Sequence, residues 1–460
     1  MTRDVIRRRA FVLMGDPPKV GGFLADLHSR DLAILMITGP PRSDLDEASR
    51  AFLDVPDHPF SVIDETALLE GDDLAGIVDR IRRWSDRYSI AGIFGASAVF
   101  AEAAAIVADG LGIPGVGMRA ARVCRDKLLQ RHYLGAWSPE SRLATAESGD
   151  EAVEWAAKSL PVVVKPLHLS SSVGVRQFDD ATALARHLGR LGPGDRLLIE
   201  PRVNGREYNV DIITVRGRPV FSAITQKGTN EQSTPFFAEL VHTIPPVNLN
   251  ERENERLLET ARDVVRHLRF ETGWAHAEYR LNEAGEPVLM EIAARPPGDG
   301  CMALFHLATG HPFESLLIEA ALGKEVAYPE PRRRVRQVYF DHAPGILRDV
   351  TVEWPPDVST RWLCPAGIWP PPRPLPRHAP PTLHEVMVQK NQHATLRPIA
   401  DSGHRAVTAL FDAPFDADID LLDAQVRDAV TLHIETHPPR RSVPGGRPPT
   451  RDRSGSGTAM

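Results

Sequence analysis

The sequence predicts a protein of mixed α/β and α+β architecture in three parts, and three patterns carry this prediction. Residues 1–118 alternate short apolar runs with helical stretches, as βαβ units of a parallel sheet do. Residues 119–325 hold the most pronounced strand patterns. Thirteen prolines between Pro329 and Pro381 predict irregular structure and edge strands in the third part, 326–435.

The N-terminal part is predicted to be a Rossmann-like parallel sheet. Its strand candidates are the apolar runs AFVLMG, DLAILMITG, FSVIDE and AGIFGAS, and a helix is predicted near 98–110. The glycines at positions 15, 21 and 22 do not form a GxGxxG motif, so dinucleotide binding here is weakly supported. Near the C-terminus, a helix is predicted at about 419–435, and residues 436–460 read as a disordered tail.

Composition excludes several classes of protein. The chain has 460 residues, 42% of them hydrophobic, and a formal net charge of −7, which argues against a nucleic-acid or membrane surface. Three cysteines without a CxxC pair make disulfides and zinc unexpected, and no apolar run is long enough for a transmembrane helix. A cytoplasmic protein is therefore the expectation. The chain has only seven lysines, so each lysine at a polar motif is informative.

A first polar motif follows a buried strand in LPVVVKPLHLSSSVGVRQF, residues 160–178. The strand ends near Lys165, and Ser170, Ser171, Ser172 and Gly174 follow. Small residues allow backbone N–H groups to close on phosphate oxygens, and a lysine adds a point charge. The alternative is a polar surface hairpin.

A second motif is LLIEPRVNGREYNVDIITV, residues 197–215, in which a hydrophobic strand runs into Glu200 and another begins near Tyr208. A crossing segment of this kind can offer backbone groups to an adenine ring and a carboxylate to a ribose. The alternative is that Glu200 and Glu207 are solvated charges at strand ends.

The most specific motif is WAHAEYRLNEAGEPVLMEIAAR, residues 274–295, which predicts a β-hairpin around the turn NEAGEP. If the turn centres on Ala284 and Gly285, Glu278 faces Glu291 across the hairpin. Facing like charges are destabilising unless a cation lies between them, and Mg²⁺ prefers such oxygen ligands. The alternative is a wet sheet face on which Arg280 and Arg295 neutralise the pair.

These three motifs, in this order, resemble the ATP-grasp superfamily of carboxylate–amine ligases, and the L-amino acid ligase branch most closely. The resemblance covers roughly residues 90–430. It implies a pre-ATP-grasp domain at 1–118, an ATP-grasp core at 119–325 with a mobile lid at about 128–198, and a C-terminal α+β domain at 326–435.

For the nucleotide, the resemblance implies phosphate-binding lysines, a lid over the γ-phosphate, and positions around the adenine and ribose. The segment CRDKLLQRHYL resembles the Asp-Lys…Arg helix of the family. The implied residues are Lys127, Lys165 and Lys227 near the nucleotide, Ser171, Ser172 and Gly174 in the lid, Glu200 at the adenine, Val203 in the hinge backbone and Glu207 at the ribose.

For the metal and the substrates, the resemblance implies Glu278 and Glu291 as ligands of Mg²⁺, with two ions expected and Mn²⁺ as an alternative. Arg295 would stabilise the acyl phosphate and the tetrahedral intermediate. Glu239 and His242, in FAELVHTIPP, would border an amino-acid pocket together with His276. Arg295, His276, Lys165 and Ser172 form the expected catalytic set.

The function implied is an ATP-dependent, ADP-forming ligase that joins a carboxylate, an amino acid in this branch, to an amine, with secondary metabolism as a setting. Small molecules are the expected partners, and a homodimer is a family expectation. A different substrate, such as bicarbonate, a nucleotide-pathway amine or a carrier-bound thiol, stays open. So does a non-catalytic nucleotide-binding module, because serines replace lid glycines and Ala293 replaces a metal-binding asparagine.

Overall fold

The computed structural model describes residues 7–41, 44–53, 55–355 and 358–436. The predicted tail therefore lies, apart from Thr436, outside the described residues. Within the described ranges, no helix is both long and apolar enough to cross a membrane. The three cysteines are free and buried.

The N-terminal part is a four-stranded parallel sheet in the order β3-β2-β1-β4 with helices packed around it. The strands β1 and β2 are almost wholly buried, which explains their continuous apolar runs. The elements are β1 Arg8–Met14, α1 Pro17–Ser29, β2 Ala33–Thr38, α2 Asp44–Arg50, β3 Glu65–Leu68, α3 Leu74–Arg87, β4 Tyr88–Gly95 and α4 Ala101–Leu111.

One strand of this part was predicted at the wrong residues. The run FSVIDE is not a strand, because Pro59 opens a 3-10 helix at Pro59–Val62 whose Phe60 is buried in the core. The strand β3 begins only at Glu65 and lies at the edge of the sheet, where one buried residue, Ala67, suffices to anchor it. An edge strand of this composition has little hydrophobic signal.

A small four-stranded sheet, here called the lid sheet, follows in the order β5-β8-β6-β7 and packs on two helices. Two helices precede it, and the second begins at Lys127 because the Asp126 side chain caps the backbone N–H groups of Leu128 and Leu129. The elements are α5 Met118–Val123, α6 Lys127–Leu134, β5 Arg142–Ala144, α7 Gly149–Ala156, β6 Val162–Pro166, β7 Arg176–Phe178, α8 Ala181–Leu188 and β8 Leu197–Pro201.

A nine-stranded sheet forms the centre of the molecule, in the order β13-β12-β9-β10-β11-β14-β19-β17-β16. One of its helices, α9, starts with a capping box between Asn250 and Glu253 and buries its apolar face on the sheet. The elements up to residue 321 are β9 Arg206–Val215, β10 Arg218–Thr229, β11 Glu239–Ile244, α9 Glu251–His267, β12 Gly273–Leu281, β13 Pro287–Ala293, α10 Cys301–Thr309 and α11 Phe313–Ala321.

The C-terminal region completes this sheet rather than standing apart from it, because β14, β19, β17 and β16 are its last four strands. As the prolines predict, β16 is an edge strand and 367–381 is irregular. The elements are β14 Arg334–Tyr339, β15 Gly345–Val352, β16 Thr360–Trp362, α12 Leu363–Ala366, β17 Thr382–Val388, β18 Thr395–Leu396, β19 Val407–Ala413, α13 Ile419–Ala429 and β20 Val430–Glu435.

The helix predicted at 419–435 is correct only in its first part. It ends at Ala429, and Val430–Glu435 forms strand β20 paired with β15 in a three-stranded sheet. The segment VTLHIE alternates apolar and polar residues, and this period-two pattern outweighs the helical pattern before it.

Candidate functional site

A cleft of about 920 Å³, partly open to solvent, lies between the lid sheet and the nine-stranded sheet and is called the central cleft here. All but two of the residues predicted for a site line it, the exceptions being Gly174 and His242. The predicted residues that line it are Lys127, Lys165, Ser171, Ser172, Glu200, Val203, Glu207, Lys227, Glu239, His276, Glu278, Glu291 and Arg295.

The hairpin β12–β13 carries the two carboxylates predicted for a metal. Glu278 pairs with Glu291 in the register predicted from the sequence, and a bulge shifts the register by one residue beyond this pair. Each carboxylate is held by a lysine: Lys227 Nζ lies 3.1 Å from Glu278 Oε2, and Lys127 Nζ lies 3.0 Å from Glu291 Oε1. The cations in direct contact with the pair are thus these two lysines, while Arg295 acts on Glu291 through its charge.

The facing carboxylates have pKa values shifted in opposite directions. Burial raises the pKa of Glu278, and the neighbouring charges of Glu239 and Glu291 raise it further against the opposing effect of Lys227. Burial also acts on Glu291, but Lys127 outweighs it and lowers the pKa of that carboxyl. Such a split between facing acids is typical of a functional site.

Glu200 lies at the end of β8, fully buried, and receives two cations. Lys165 Nζ is 2.7 Å from Glu200 Oε2, and Arg131 Nε donates to Glu200 Oε1. Burial raises the pKa of Glu200, but the charges of Lys165 and Arg131 outweigh burial and lower it. Arg131 Nη2 also donates to the carbonyl of Met290 at 2.6 Å, which ties helix α6 to the hairpin.

Lys227, on β10, contacts three carboxylates, more than any other lysine or arginine described in the central cleft. Its Nζ lies 2.7 Å from Glu207, 2.6 Å from Glu239 and 3.1 Å from Glu278, on three different strands. Its side chain is 1% exposed, and these carboxylates raise its pKa well above the ordinary value despite the opposing effect of burial. All three donors of the ammonium are thus used by carboxylates.

Arg280 fixes the hinge between β8 and β9. Its guanidinium lies 2.6 Å from Glu207 and 2.9 Å from Glu231, and Nη1 donates to the Val203 carbonyl at 3.1 Å. Burial raises the pKa of Glu207, but Lys227 and Arg280 lower it to about 2. Glu207 is therefore an ionised acceptor on the cleft wall, as a ribose-binding carboxylate would have to be.

The serine loop after β6 is held by two loops that flank strands β11 and β19 of the nine-stranded sheet. Ser172 Oγ donates to the Phe237 carbonyl at 2.9 Å, and the Ser402 N–H donates to the Ser171 carbonyl at 3.1 Å. Ser171, Ser172 and Gly174 all have left-handed backbone angles, with φ of 60°, 59° and 74°. Two consecutive serines in this region indicate a loop whose shape is imposed by its contacts.

Glu239 belongs to a network that reaches the C-terminal region. His242 Nε2 lies 3.0 Å from Glu239 Oε2 and 3.9 Å from Asp299 Oδ2. Arg405 binds Asp299 with both terminal nitrogens, at 3.0 and 2.5 Å, and donates to the Glu239 carbonyl at 2.9 Å. His242 is thus an inner support of Glu239 rather than part of the cleft wall.

His276 and Arg295 complete this side of the central cleft. Asp211 Oδ1 accepts from Trp274 Nε1 at 2.8 Å and lies 2.7 Å from His276 Nδ1. A carboxylate oxygen accepts hydrogen bonds, so Nδ1 of His276 is the donor in this contact. Arg295 Nη1 donates to the Pro296 carbonyl at 2.6 Å.

Several of these residues were not predicted from the sequence, although the spacing of two of them along the chain indicates a position at the site. Arg131 lies four residues after Lys127 on one helix face, and Asp211 continues the alternation Glu207, Asn209, Asp211 along β9. No spacing of this kind indicates Glu231 and Arg405, because the loop after β10 and the C-terminal region reach the site only through tertiary structure.

The donor set of the central cleft fits a nucleotide with Mg²⁺. The hairpin offers two carboxylates, the ligand type that Mg²⁺ combines with substrate phosphates. Lys127, Lys165 and Lys227 supply compact cations, and Val163 and Met290 supply apolar walls near Glu200. An anionic ligand with a flat ring and a bound divalent cation would satisfy both kinds of surface.

Comparisons with known proteins agree with this geometry. Residues 158–303 match the model of the ATP-grasp domain. Over 315 residues the chain is 27% identical to the uncharacterized protein y4rH of Sinorhizobium fredii, covering 64% of each chain. Over 215 residues it is 26% identical to D-alanine–D-alanine ligase of Marinobacter nauticus, covering 45% of this chain and 66% of the ligase. The chain thus aligns with slightly less than two thirds of each relative.

Among solved structures, L-amino acid ligase from Bacillus licheniformis superimposes with a TM-score of 0.70. The match covers 94% of this chain and 100% of the ligase at 17% identity, which shows a shared fold. The predicted resemblance and the predicted ATP-grasp fold are therefore confirmed.

Proposed function

Starting from its ATP-grasp domain and fold, we propose that this chain is an ATP-dependent, ADP-forming ligase that joins a carboxylate to an amine through an acyl phosphate. The single observation that carries the proposal is the hairpin pair Glu278 and Glu291, facing each other in a cleft that also holds three of the seven lysines. In a chain that uses arginine for most of its basic positions, ion pairs with a purely structural role would be expected to use arginine rather than lysine.

The first half-reaction would depend on charge neutralisation and positioning, because phosphoryl transfer requires little covalent chemistry from the protein. Bound Mg-ATP would supply the phosphoryl group. Glu278 and Glu291 would hold the metal, with two ions or Mn²⁺ as the finer possibilities. Lys127, Lys165 and Lys227 would neutralise the phosphates, while the loop with Ser171, Ser172 and Gly174 closes over them. Glu200, Val203 and Glu207 would face the adenine and ribose.

The second half-reaction develops negative charge on a tetrahedral carbon, and Arg295 is the cation that lines the cleft without a carboxylate partner among the ion pairs described. His276 presents its imidazole to the cleft, and Glu239, supported by His242, presents a carboxylate. These groups suit an incoming amine. A homodimer remains a proposal that this site does not require.

For the substrate, we favour an amino acid. The D-alanine–D-alanine ligase and the L-amino acid ligase named above both act, by their names, on amino acids. An acidic residue beside the cleft, Glu239, suits the ammonium group of an amino acid, whereas bicarbonate offers no cation to it. The amine partner and the product are left to the experiment.

The test is phosphate release from Mg-ATP in the presence of pooled amino acids and pooled amines, followed by mass spectrometry of the products. Amino-acid-dependent phosphate with an amide product supports the proposal. Tight Mg-ATP binding without turnover would instead favour the non-catalytic module, and turnover only with bicarbonate or a nucleotide-pathway amine would replace the amino acid as substrate.

Arg295 offers a separate prediction. Arg295→Ala should lower the rate of amide formation by about 100-fold, the usual effect of removing an oxyanion-stabilising group, while the affinity for Mg-ADP changes less than about threefold. Isothermal titration with ADP and single-turnover kinetics measure the two quantities. Equal losses in both would contradict the role assigned to Arg295.

A further inference from the structure

The two metal carboxylates of the central cleft are already balanced by lysines, and this has a consequence for the order of binding. We propose that Lys127 and Lys227 are exchangeable counter-ions of Glu291 and Glu278, so that a divalent cation binds to the cleft together with the nucleotide and not before it. This inference rests on the proposed function for its nucleotide and metal, and concerns how the two depend on each other.

Lys227 has more carboxylate partners than Lys127. Its ammonium lies 3.1 Å from Glu278, and Glu207 and Glu239 hold the same nitrogen at 2.7 and 2.6 Å. If Lys227 turns from Glu278 toward a phosphate, two carboxylates still partner it, so the exchange leaves no unpaired buried charge.

Lys127 likewise has a second partner besides its metal carboxylate. Its ammonium lies 3.0 Å from Glu291 and donates to the Leu169 carbonyl, at the start of the serine loop, at 2.6 Å. The side chain is 4% exposed, so water gives it little alternative solvation. Loss of the Glu291 contact would leave Lys127 anchored by that carbonyl and free to meet a phosphate.

A dication approaching this pair on its own would face two ammonium groups within about 3 Å of its intended ligands, and Mg²⁺ gives up its water reluctantly. Nucleotide phosphates weaken the repulsion, because they attract the lysines away from the carboxylates. They also replace water around the metal, because they add oxygen ligands for it. Binding of metal and nucleotide should therefore be strongly and reciprocally coupled.

The experiment is a titration of the full chain with Mn²⁺, followed by the loss of the free Mn²⁺ signal in electron paramagnetic resonance, without nucleotide and with ADP. The wild type should bind Mn²⁺ at least about tenfold more weakly without ADP. Lys127→Met and Lys227→Met should each raise the nucleotide-free affinity for Mn²⁺ at least about tenfold, because one repelling charge is gone.

Two control variants separate contact from overall charge. Lys324→Met removes an exposed lysine that pairs with Glu319 at 2.9 Å, and it should leave the Mn²⁺ affinity unchanged. Lys165→Met removes a cleft lysine that pairs with Glu200 and not with a metal carboxylate, so its gain should be clearly smaller. An equal gain in Lys165→Met would overturn the exchange mechanism.

The wild-type titration also tests the inference by itself: nucleotide-free Mn²⁺ affinity equal to that with ADP would overturn it. Lys127→Gln and Lys227→Gln serve as second variants if a methionine variant fails to fold, as judged by circular dichroism. Absence of any Mn²⁺-ADP binding to the folded wild type would instead contradict the proposed function. Binding of Mn²⁺-ADP with no gain in the lysine variants would contradict the inference alone.

Discussion

Individual carboxylates of the central cleft differ because each meets a different set of charges. Lys165 and Arg131 lower the pKa of Glu200, Lys227 and Arg280 lower that of Glu207, and Lys127 lowers that of Glu291. Burial raises the pKa of Glu278, and Lys227, which Glu278 shares with two other acids, does not offset this effect. Glu278 is therefore the carboxylate whose charge is least balanced, and the one that gains most from a bound cation.

The hairpin carboxylates give the first prediction at the residue scale. Glu278→Gln and Glu291→Gln keep the shape of the side chain but remove a charge, so each should lower Mg²⁺-dependent phosphate release by at least about 100-fold. The measurement is steady-state phosphate release across a range of Mg²⁺ concentrations. Glu283→Gln, an exposed residue in the turn of the same hairpin, is the matched control and should retain activity. A near-normal rate in either cleft variant would remove the metal role.

Glu207 gives a prediction on pH. Its pKa falls from 4.5 to about 2 on folding, so its contribution to stability is present above about pH 4.5 and is lost as the pH falls toward 2. A shift of this size corresponds to about 3 kcal/mol. Urea unfolding between pH 5 and pH 2.5 should therefore show a smaller loss of unfolding free energy in Glu207→Gln than in the wild type.

A control for this pH dependence comes from an exposed pair. Glu286 forms an ion pair with Arg256, and its side chain is 53% exposed, so Glu286→Gln should change the slope of stability against pH little. If Glu207→Gln and the wild type lose stability in parallel on acidification, the burial and pairing of Glu207 do not govern its protonation.

At the scale of elements, the hinge segment between β8 and β9 lines the central cleft with Val203 and turns at Gly205. Gly205 has φ of 133°, and a Cβ there would lie 1.8 Å from the Leu281 carbonyl oxygen at the end of β12. Gly205→Ala should therefore destabilise the fold by about 3 kcal/mol or more, through both backbone strain and overlap with a carbonyl that cannot move aside. Thermal and urea unfolding measure the effect.

Gly194 is the matched control for the hinge. It also has a left-handed backbone, with φ of 90°, but no atom lies within 4 Å of the position of a Cβ. Gly194→Ala should cost only the backbone term, about 1 kcal/mol. Similar losses in the two variants would show that close packing at the hinge does not add to the strain.

Elements with a short-range signal could be predicted, and those stabilised by distant contacts could not. The hairpin 274–295 was placed with its register because a turn and a period-two pattern fix it locally. The strand at 430–435 was missed because its partner β15 lies some eighty residues away. The cleft lysines and glutamates were both identified, but the pairing between them was not, since Lys227 meets residues of three strands.

At the scale of the whole molecule, the C-terminal region contributes to the cleft through both the shared sheet and the segment 399–405. Asn230 Nδ2 donates to the Ile399 carbonyl at 2.8 Å, Ser402 contacts the serine loop, and Arg405 binds Asp299. The Arg405 guanidinium lies 3.8 Å from the centre of the Tyr339 ring and is 4% exposed. The site therefore extends beyond residues 158–303, the part that matches the family.

A pair of buried arginines allows this contribution to be separated from simple stability. Arg405 binds Asp299 next to Glu239, whereas Arg333 binds Asp412 with full burial and donates to carbonyls of the proline-rich segment, away from the cleft. Arg333→Met and Arg405→Met should both destabilise the protein by about 3–5 kcal/mol, because each leaves a buried or half-buried aspartate without its arginine. Only Arg405→Met should also alter the cleft, and it should raise the KM for the pooled amino acids at least about tenfold.

Arg405→Lys should not restore the KM, because an ammonium cannot bind Asp299 through two parallel hydrogen bonds and reach the Glu239 carbonyl as well. Measurement at a temperature where both variants are folded decides the matter: an unchanged KM in Arg405→Met, or an equal change in Arg333→Met, would reduce the C-terminal region to a structural role.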